Sequence, residues 1–196
     1  MARAQPQPYL TAADYLAWEQ AQADRHEYID GEVFAMAGGE DRHTTTAGNL
    51  YIALRQHLRG TPCSTYMSDV RLHVAASNAY FYPDVMVTCD SGDRASRLSK
   101  SAPVLVAEVL SPSTASYDVG AKFAHYRQIA SLREYVLVDI DRRSADVYRK
   151  GADGLWVLHP FSDGQAVGLA SVELTLPAAD LFADLEGEDD TAQTGR

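Results

Sequence analysis

The chain is poor in the residues that mark several common protein classes. It has only two cysteines, Cys63 and Cys89, and they lack CxxC spacing. This favours reduced thiols over a disulfide framework or a zinc site. No apolar run approaches the roughly 20 residues that a membrane helix needs. Residues 1–8 contain no apolar segment typical of a signal peptide. We therefore expect a cytoplasmic protein that does not bind a membrane.

Positive charge is also scarce. The chain has 17 basic and 27 acidic residues and a formal net charge of −10, which argues against a non-specific nucleic-acid coat. Only residues 91–150 carry a positive excess, with 10 basic and 7 acidic side chains. This segment is either an ordinary solvated surface or a local landing site for phosphate.

The remaining pattern is that of a globular α/β protein. A length of 196 residues is sufficient for one domain with a sizeable core. We expect that domain over residues 9–185, between a flexible tail (1–8) and an acidic disordered tail (186–196). Hydrophobic periodicity predicts helices over about 11–23, 42–59, 116–130 and 177–185, a hairpin over 28–37, and strands over about 64–67, 70–74, 84–88, 104–110, 135–140, 145–150, 155–159 and 172–176. The β-α-β order around residues 104–140 predicts two parallel neighbouring strands.

Two carboxylates stand in unusual positions in this pattern. Asp84 follows Pro83 at the edge of an apolar strand, and Glu108 lies inside the apolar run from Val104 to Leu110. A buried carboxylate is costly unless a partner or a metal compensates it. Asp84 is alternatively a simple strand-end acid, and Glu108 alternatively pairs with a buried arginine. Brought together, the two would suit Mg²⁺ and metal-assisted phosphodiester hydrolysis.

The next helix carries a lysine that could complete such a site. Lys122 lies one helical turn from Asp118, His125 and Tyr126, so these side chains can share a face. A lysine above the carboxylates can orient a hydrolytic water or offset phosphate charge. The simpler interpretations are a solvated lysine, a helix N-terminal acid at Asp118, a surface position for His125 and core packing for Tyr126.

Pro83-Asp84, Glu108 and a following lysine resemble the PD-(D/E)XK nuclease signature. Roughly residues 10–180 resemble, more specifically, the Uma2 family of bacterial restriction-endonuclease-like proteins. The segments that carry this resemblance are Tyr28 to Glu32, His43, Pro83 to Val85, Glu108 to Thr114, Lys122 with Tyr126, and Glu134 to Asp139.

The resemblance implies a restriction-endonuclease-like core, with a mixed central β-sheet flanked by α-helices and extra antiparallel strands. It also implies a Mg²⁺- or Mn²⁺-dependent site. Asp84 and Glu108 would bind the metal, Lys122 would be the catalytic lysine, and Glu27 would be an additional acid. His43 matches a family histidine to which we assign no specific role.

Two details of the implied site leave alternatives open. Glu27 could instead pair with Arg25 or cap the hairpin. In the simplest PD-(D/E)XK signature the lysine stands two residues after the glutamate, where this chain has Leu110. Leucine carries no charge and donates no hydrogen bond, so the site depends on the relocated Lys122.

The sequence thus predicts a metal-dependent endonuclease that hydrolyses DNA, leaves a 5′-phosphate and, by analogy with restriction-type nucleases, acts as a homodimer. One alternative is a nucleic-acid- or protein-binding module that keeps the fold without useful catalysis. Another is a phosphodiesterase that acts on RNA or small nucleotides.

Overall fold

The computed structural model describes residues 9–36 and 38–185, so the two predicted tails lie outside the described residues. None of the helices in these ranges is long and apolar enough to cross a membrane. The strands are β1 (His26–Ile29), β2 (Glu32–Ala35), β3 (Ser64–Met67), β4 (Arg71–Val74), β5 (Ala79–Phe81), β6 (Val85–Thr88), β7 (Ser99–Lys100), β8 (Pro103–Val109), β9 (Glu134–Asp139), β10 (Ser144–Lys150), β11 (Trp156–Phe161), β12 (Val167–Leu169) and β13 (Leu174–Leu176). The helices are α1 (Ala12–Glu19), α2 (Asp41–His57), α3 (Ser91–Ala95), α4 (Ala115–Tyr117), α5 (Phe123–Tyr126) and α6 (Ala178–Leu181), with a π turn at Asp118–Lys122 between α4 and α5.

A mixed six-stranded sheet forms the centre of the fold. Its order is β11-β10-β9-β8-β6-β3. Strands β8 and β9 run parallel, as the β-α-β pattern predicts, and the other neighbours are antiparallel. All but one residue of β8 are buried, which explains its nearly continuous apolar sequence, since a central strand is covered on both faces.

Two smaller sheets complete the architecture. One has five strands in the order β2-β1-β5-β4-β7, and the other pairs β12 with β13. The tight turn between β1 and β2 falls at Asp30 and Gly31, whose φ angles are 43° and 104°. Positive φ at both central residues is the requirement of a type I′ hairpin turn, and Asp-Gly satisfies it at little steric cost. This turn sets the antiparallel register of β1 with β2, and β1 also pairs with β5.

Apolar side chains cover both faces of the central sheet. On one face α2 packs Leu50 and Leu54 against Val85 and Leu105 of the sheet. The other face packs against a cluster that includes Tyr126. Ala47, Leu50 and Leu54 form the buried stripe of α2, and Leu58, which caps the helix, continues it.

Two predicted elements differ from the observed ones, and strand β5 was not predicted. The helix expected over 116–130 contains the π turn and ends at Tyr126, and Tyr135 donates a hydrogen bond of 3.0 Å to the Asp118 carbonyl inside that turn. Strand β5 is only three residues long, too short for its periodicity to be recognised. The strand expected over 172–176 starts at Leu174 and pairs with β12 rather than with the central sheet.

The prediction that both cysteines are reduced thiols is wrong in this structure. Cys63 and Cys89 form a disulfide, with their Cα atoms 3.9 Å apart. The reason is the register of β3 and β6, which pairs Ser64 with Thr88. In an antiparallel pair the next residues outward are also opposite each other, and these are the two cysteines.

The packing of α2 can be tested with two substitutions on that helix. Leu54 is completely buried, whereas Ile52 is 52% exposed. We expect Leu54→Ala to lower the free energy of unfolding by about 2–5 kcal/mol, because it leaves a cavity. Ile52→Ala should cost less than about 0.5 kcal/mol. Urea denaturation followed by circular dichroism measures both, and equal losses would contradict the observed orientation of α2.

Candidate active site

A cleft of about 690 Å³ brings together all five side chains that the sequence predicts for the site. Glu27 enters from β1 and His43 from α2. Asp84 comes from the residue before β6, Glu108 from β8, and Lys122 from the π turn. These positions are far apart in the sequence, so the cleft exists only because the sheets and the helices meet here.

The antiparallel pairing of β6 with β8 joins the first two carboxylates. Val85 pairs with Ala107, and continuing this register by one residue puts Asp84 opposite Glu108. The backbone N–H of Val109 donates to Asp84 Oδ2 at 2.8 Å. The N–H of Asp84 lies 3.4 Å from Glu108 Oε2. The backbone next to Glu108 thus holds the Asp84 carboxylate, and the backbone of Asp84 lies against the Glu108 carboxylate.

Lys122 is the buried partner of Glu108, which rules out the arginine partner considered above. Its Nζ lies 3.1 Å from Glu108 Oε1, 3.2 Å from Glu27 Oε1 and 3.4 Å from Asp118 Oδ1. An ammonium group has three donors, which matches the three carboxylates that surround it. All three contacts are ion pairs, and Glu27 Oε1 accepts no hydrogen bond of good geometry within the described residues.

Two further residues of this site were interpreted differently from the sequence. Asp118 is a buried partner of Lys122 rather than only a helix N-terminal acid. The Tyr126 hydroxyl is not only core but donates a hydrogen bond of 2.8 Å to Glu108 Oε1. The available signal was their position on one helical face with Lys122. Which groups that face would meet depends on the tertiary structure.

His43 and Glu27 also have defined partners. His43 Nε2 lies 3.2 Å from Asp84 Oδ2, and this hydrogen bond raises the pKa of the imidazole. Glu27 does not pair with Arg25, which instead contacts Asp69 at 3.3 Å. His43 therefore contacts Asp84, and Glu27 contacts Lys122 of the same cluster.

The buried cluster has more negative than positive charge. Burial raises the pKa of Glu108 well above its ordinary value of 4.5, and the nearby Asp84, Asp118 and Glu27 raise it further, against the opposing effect of Lys122. Burial also raises the pKa of Glu27. Burial by itself lowers the pKa of Lys122, but the carboxylates outweigh it and hold the ammonium charged. One cation thus leaves the carboxylates only partly compensated.

The positive segment 91–150 does not make this cleft positive. Lys100 is buried and donates to the Asp93 carbonyl at 2.6 Å, and Arg149 donates to Glu134 at 2.7 Å. Both charges are therefore used inside the fold. The cleft itself is lined by six acidic residues: Glu27, Glu40, Asp84, Glu108, Asp118 and Asp141. Without additional cations such a surface repels a polyanion.

The donor set suits a cation that takes few protein ligands. No three Asp, Glu, His or Cys side chains form a ready-made metal cage within residues 9–36 and 38–185. Mg²⁺, however, is commonly held by one or two carboxylates, with waters and substrate phosphates completing its octahedron. Asp84 and Glu108 can supply two carboxylates of this kind, and the incompletely compensated negative charge of the cluster favours added positive charge.

Comparison with known proteins places the chain in a family. The sequence model of the Uma2 family, described as "Putative restriction endonuclease", matches residues 12–181. The chain belongs to the Uma2 family. Two proteins of Synechocystis sp., both named as uncharacterized, are similar to it. Slr1290 is 37% identical over 92% of this chain and 95% of its own, and sll1609 is 38% identical over 76% of this chain and 85% of its own.

A solved structure shares the fold of this Uma2 chain. It is the crystal structure of "a putative nuclease belonging to DUF820" from Anabaena variabilis. The TM-score is 0.73 over 88% of this chain and 97% of that one, at 18% sequence identity. This confirms the predicted mixed α/β architecture, which persists at low sequence identity.

The excess charge predicts an unusual effect of Glu108→Gln. The folded chain retains a proton on Glu108 above pH 4.5 that the unfolded chain releases, so this group lowers stability as the pH rises. We expect Glu108→Gln to raise the free energy of unfolding at pH 8 by about 0.5–2 kcal/mol. The gain should shrink toward pH 5. Urea titrations at both pH values measure it.

A second buried glutamate provides the matched control. Glu134 accepts hydrogen bonds from Arg149 and from Ser171, so its negative charge is compensated. Glu134→Gln should lower the free energy of unfolding by about 1.5–3 kcal/mol at either pH. If Glu108→Gln destabilised the chain to a similar extent at pH 8, the cluster would not hold excess negative charge.

Proposed function

We propose that this protein is a divalent-metal-dependent endonuclease that hydrolyses phosphodiester bonds of DNA. The observation that carries the proposal is the meeting of Asp84, Glu108 and Lys122 at the buried floor of one cleft. These are the residues that match the PD-(D/E)XK signature. The description of the Uma2 family supports the same direction.

Asp84 and Glu108, with Glu27 beside them, would hold Mg²⁺ or Mn²⁺. Such an ion polarises the phosphate and lowers the pKa of a bound water. The two carboxylate oxygens of Glu108 have different contacts, which suits this role. Oε1 accepts from Tyr126 and faces Lys122, whereas among residues 9–36 and 38–185 the hydrogen bond of Oε2 is the long one, 3.4 Å, from the Asp84 N–H.

Lys122 would act on the reacting phosphate or water. Its ammonium group can donate to the attacking water or to a phosphate oxygen as negative charge builds up. The water oxygen bonds to phosphorus, the bond to the 3′ oxygen breaks, and the products are a 3′-hydroxyl and a 5′-phosphate. Because its three donors face three carboxylates, one carboxylate must take another cationic partner before Lys122 is available to substrate.

His43 has a positioning function in this proposal. Its contact with Asp84 Oδ2 and the hydrogen bond from the Val109 N–H fix one oxygen of that carboxylate. Asp84 then presents its other oxygen in a constant direction. A homodimer, expected by analogy with restriction-type nucleases, is also part of the proposal and can be tested by light scattering.

Cleavage assays test the proposal directly. Supercoiled plasmid and labelled single-stranded DNA are incubated with the parent protein, Glu108→Gln or Lys122→Ala, in Mg²⁺ and in Mn²⁺. We expect metal-dependent cutting by the parent and a loss of at least about 100-fold in each variant, as is typical when electrostatic stabilisation or an acid–base group is removed.

Two results would contradict the proposal. An inactive parent on both substrates would favour a binding module or a small-nucleotide enzyme. Equal cutting by all three proteins would indicate a contaminating nuclease. Asp24→Asn, which alters an exposed acid outside the cleft, should cut like the parent and serves as the control.

Metal binding can also be measured without any substrate. At a metal concentration ten times its Kd, Mn²⁺ or Mg²⁺ should raise the free energy of unfolding by about 1.4 kcal/mol. The metal must displace the proton that the raised pKa of Glu108 retains, so its affinity should increase from pH 5.5 to pH 8. Thermal denaturation with and without EDTA measures this. Asp84→Asn should abolish the effect and Asp24→Asn should keep it; stabilisation that survives Asp84→Asn would place the metal elsewhere.

A further inference from the structure

Two aromatic side chains beside the carboxylates have no role in the proposed chemistry. Phe34 on β2 is the direct cross-strand partner of Glu27 on β1, so both side chains point to the same face. Tyr117 on α4 stands one residue before Asp118. Both rings line the cleft. The charges of Glu27 and Asp118 add to burial in raising the pKa of the Tyr117 phenol, which shows how near this ring lies to the cluster.

Neither ring is used to pack the fold. Within the described residues, Phe34 and Tyr117 take part in none of the aromatic ring contacts and belong to none of the apolar clusters. Both are only half-buried. Other rings behave differently: Tyr15 stacks on Tyr28, for example, with centroids 4.9 Å apart. Part of each ring is therefore accessible from the cleft.

The charged cluster has little exposed surface, which disfavours contact with the outer surface of a stiff duplex. The side chains of Glu108, Lys122 and Glu27 are only 4%, 8% and 9% exposed. Double-stranded DNA keeps its bases stacked inside and bends little over a few base pairs. A single strand turns freely about its backbone bonds, so it can insert one phosphate into a recess while its bases rotate outward.

The charge of the cleft points to the same kind of ligand. Proteins that bind nucleic acid through phosphates need several basic side chains, and here the six acids face only Arg42, Lys122 and the imidazole of His43. Contacts that do not depend on the phosphate charge would therefore supply much of the affinity for nucleic acid. Stacking of bases on aromatic rings is such a contact, and it requires unpaired bases.

We propose that this cleft takes an unpaired DNA strand and that Phe34 and Tyr117 stack on its bases next to the reacting phosphate. The inference rests on the proposed function, since it names the substrate class of the same site. It assigns to the two rings the selection of single-stranded over double-stranded DNA.

Binding without hydrolysis tests this directly. Fluorescence anisotropy of the full chain is measured in Ca²⁺ and in EDTA, with a labelled 15-nucleotide strand and with the duplex of the same sequence. We expect the parent to bind the single strand at least tenfold more tightly than the duplex. Phe34→Leu and Tyr117→Leu should each weaken single-strand binding about tenfold, the loss typical of one stacked base, and leave duplex binding unchanged.

Conservative and remote variants separate stacking from structural damage. Tyr117→Phe keeps the ring and should retain the preference for the single strand. Tyr9→Leu removes a ring that is 73% exposed and lies outside the cleft, and it should bind like the parent. The two ring variants come from different elements, so a folding defect in one, visible by circular dichroism, leaves the other as an independent test.

Three results would overturn the inference. They are equal affinity for strand and duplex, equal losses on both ligands in the ring variants, and displacement of the strand by free dAMP at comparable concentration. The last result would identify a small-nucleotide site. Because no cleavage is involved, failure here is distinct from failure of the proposed nuclease. If the parent cuts duplex and single strand equally, the proposed nuclease function stands and this inference fails. If the parent binds single strands through the two rings but does not cut them, this inference stands and the proposed nuclease function fails.

Discussion

The site depends on one ammonium group among several buried carboxylates. Lys122 reaches Glu108, Glu27 and Asp118 within 3.4 Å, and these residues come from three separate elements. If the lysine were absent, three acids would be buried close together without any counter-charge, at a cost of several kcal/mol. Lys122 therefore holds β1, β8 and the π turn in one arrangement. Because one positive charge does not neutralise the carboxylates of the cluster, the same arrangement favours a further cation.

The surrounding fold is organised to keep these groups buried and fixed. Strand β8 carries Glu108 through the centre of the sheet, and Tyr126 and Lys122 restrain its Oε1 from the other side. The π turn places Lys122 and Asp118 on the inner face, and Tyr135 supports that turn through the Asp118 carbonyl. π turns are rare and occur frequently at functional sites. Here the π turn brings Lys122, which stands outside the usual signature position, next to the same carboxylates.

The contrast between Glu108 and Glu134 shows that burial alone does not mark a functional acid. Both are nearly inaccessible. Glu134 receives hydrogen bonds from Arg149 and from the backbone of Ala170 and Ser171, so its charge stabilises the fold. Glu108 shares one lysine with other acids and is destabilised as an anion. Strain of this kind is common where proteins trade stability for chemistry.

The sequence by itself determined a large part of the fold and pointed to the residues that meet in the candidate site. The apolar run of β8, the Asp-Gly turn and the spacing of α2 depend on local chemistry, so they could be predicted from residues near in the chain. The acids in unfavourable positions, Asp84 and Glu108, were conspicuous for the same reason. The helical spacing after β8 pointed to Lys122, and the family resemblance added Glu27 and His43, which no local rule selects.

Only the tertiary structure decided the contacts that depend on distant residues. The Cys63–Cys89 pair follows from the register of β3 with β6, and the roles of Asp118 and Tyr126 follow from the π turn facing β8. Phe34 became a cleft residue through its pairing with Glu27, and Tyr117 through its position beside Asp118. Local propensity describes backbone shape and apolar faces. Which side chains meet across two sheets depends on register and packing, which no short segment of the sequence contains.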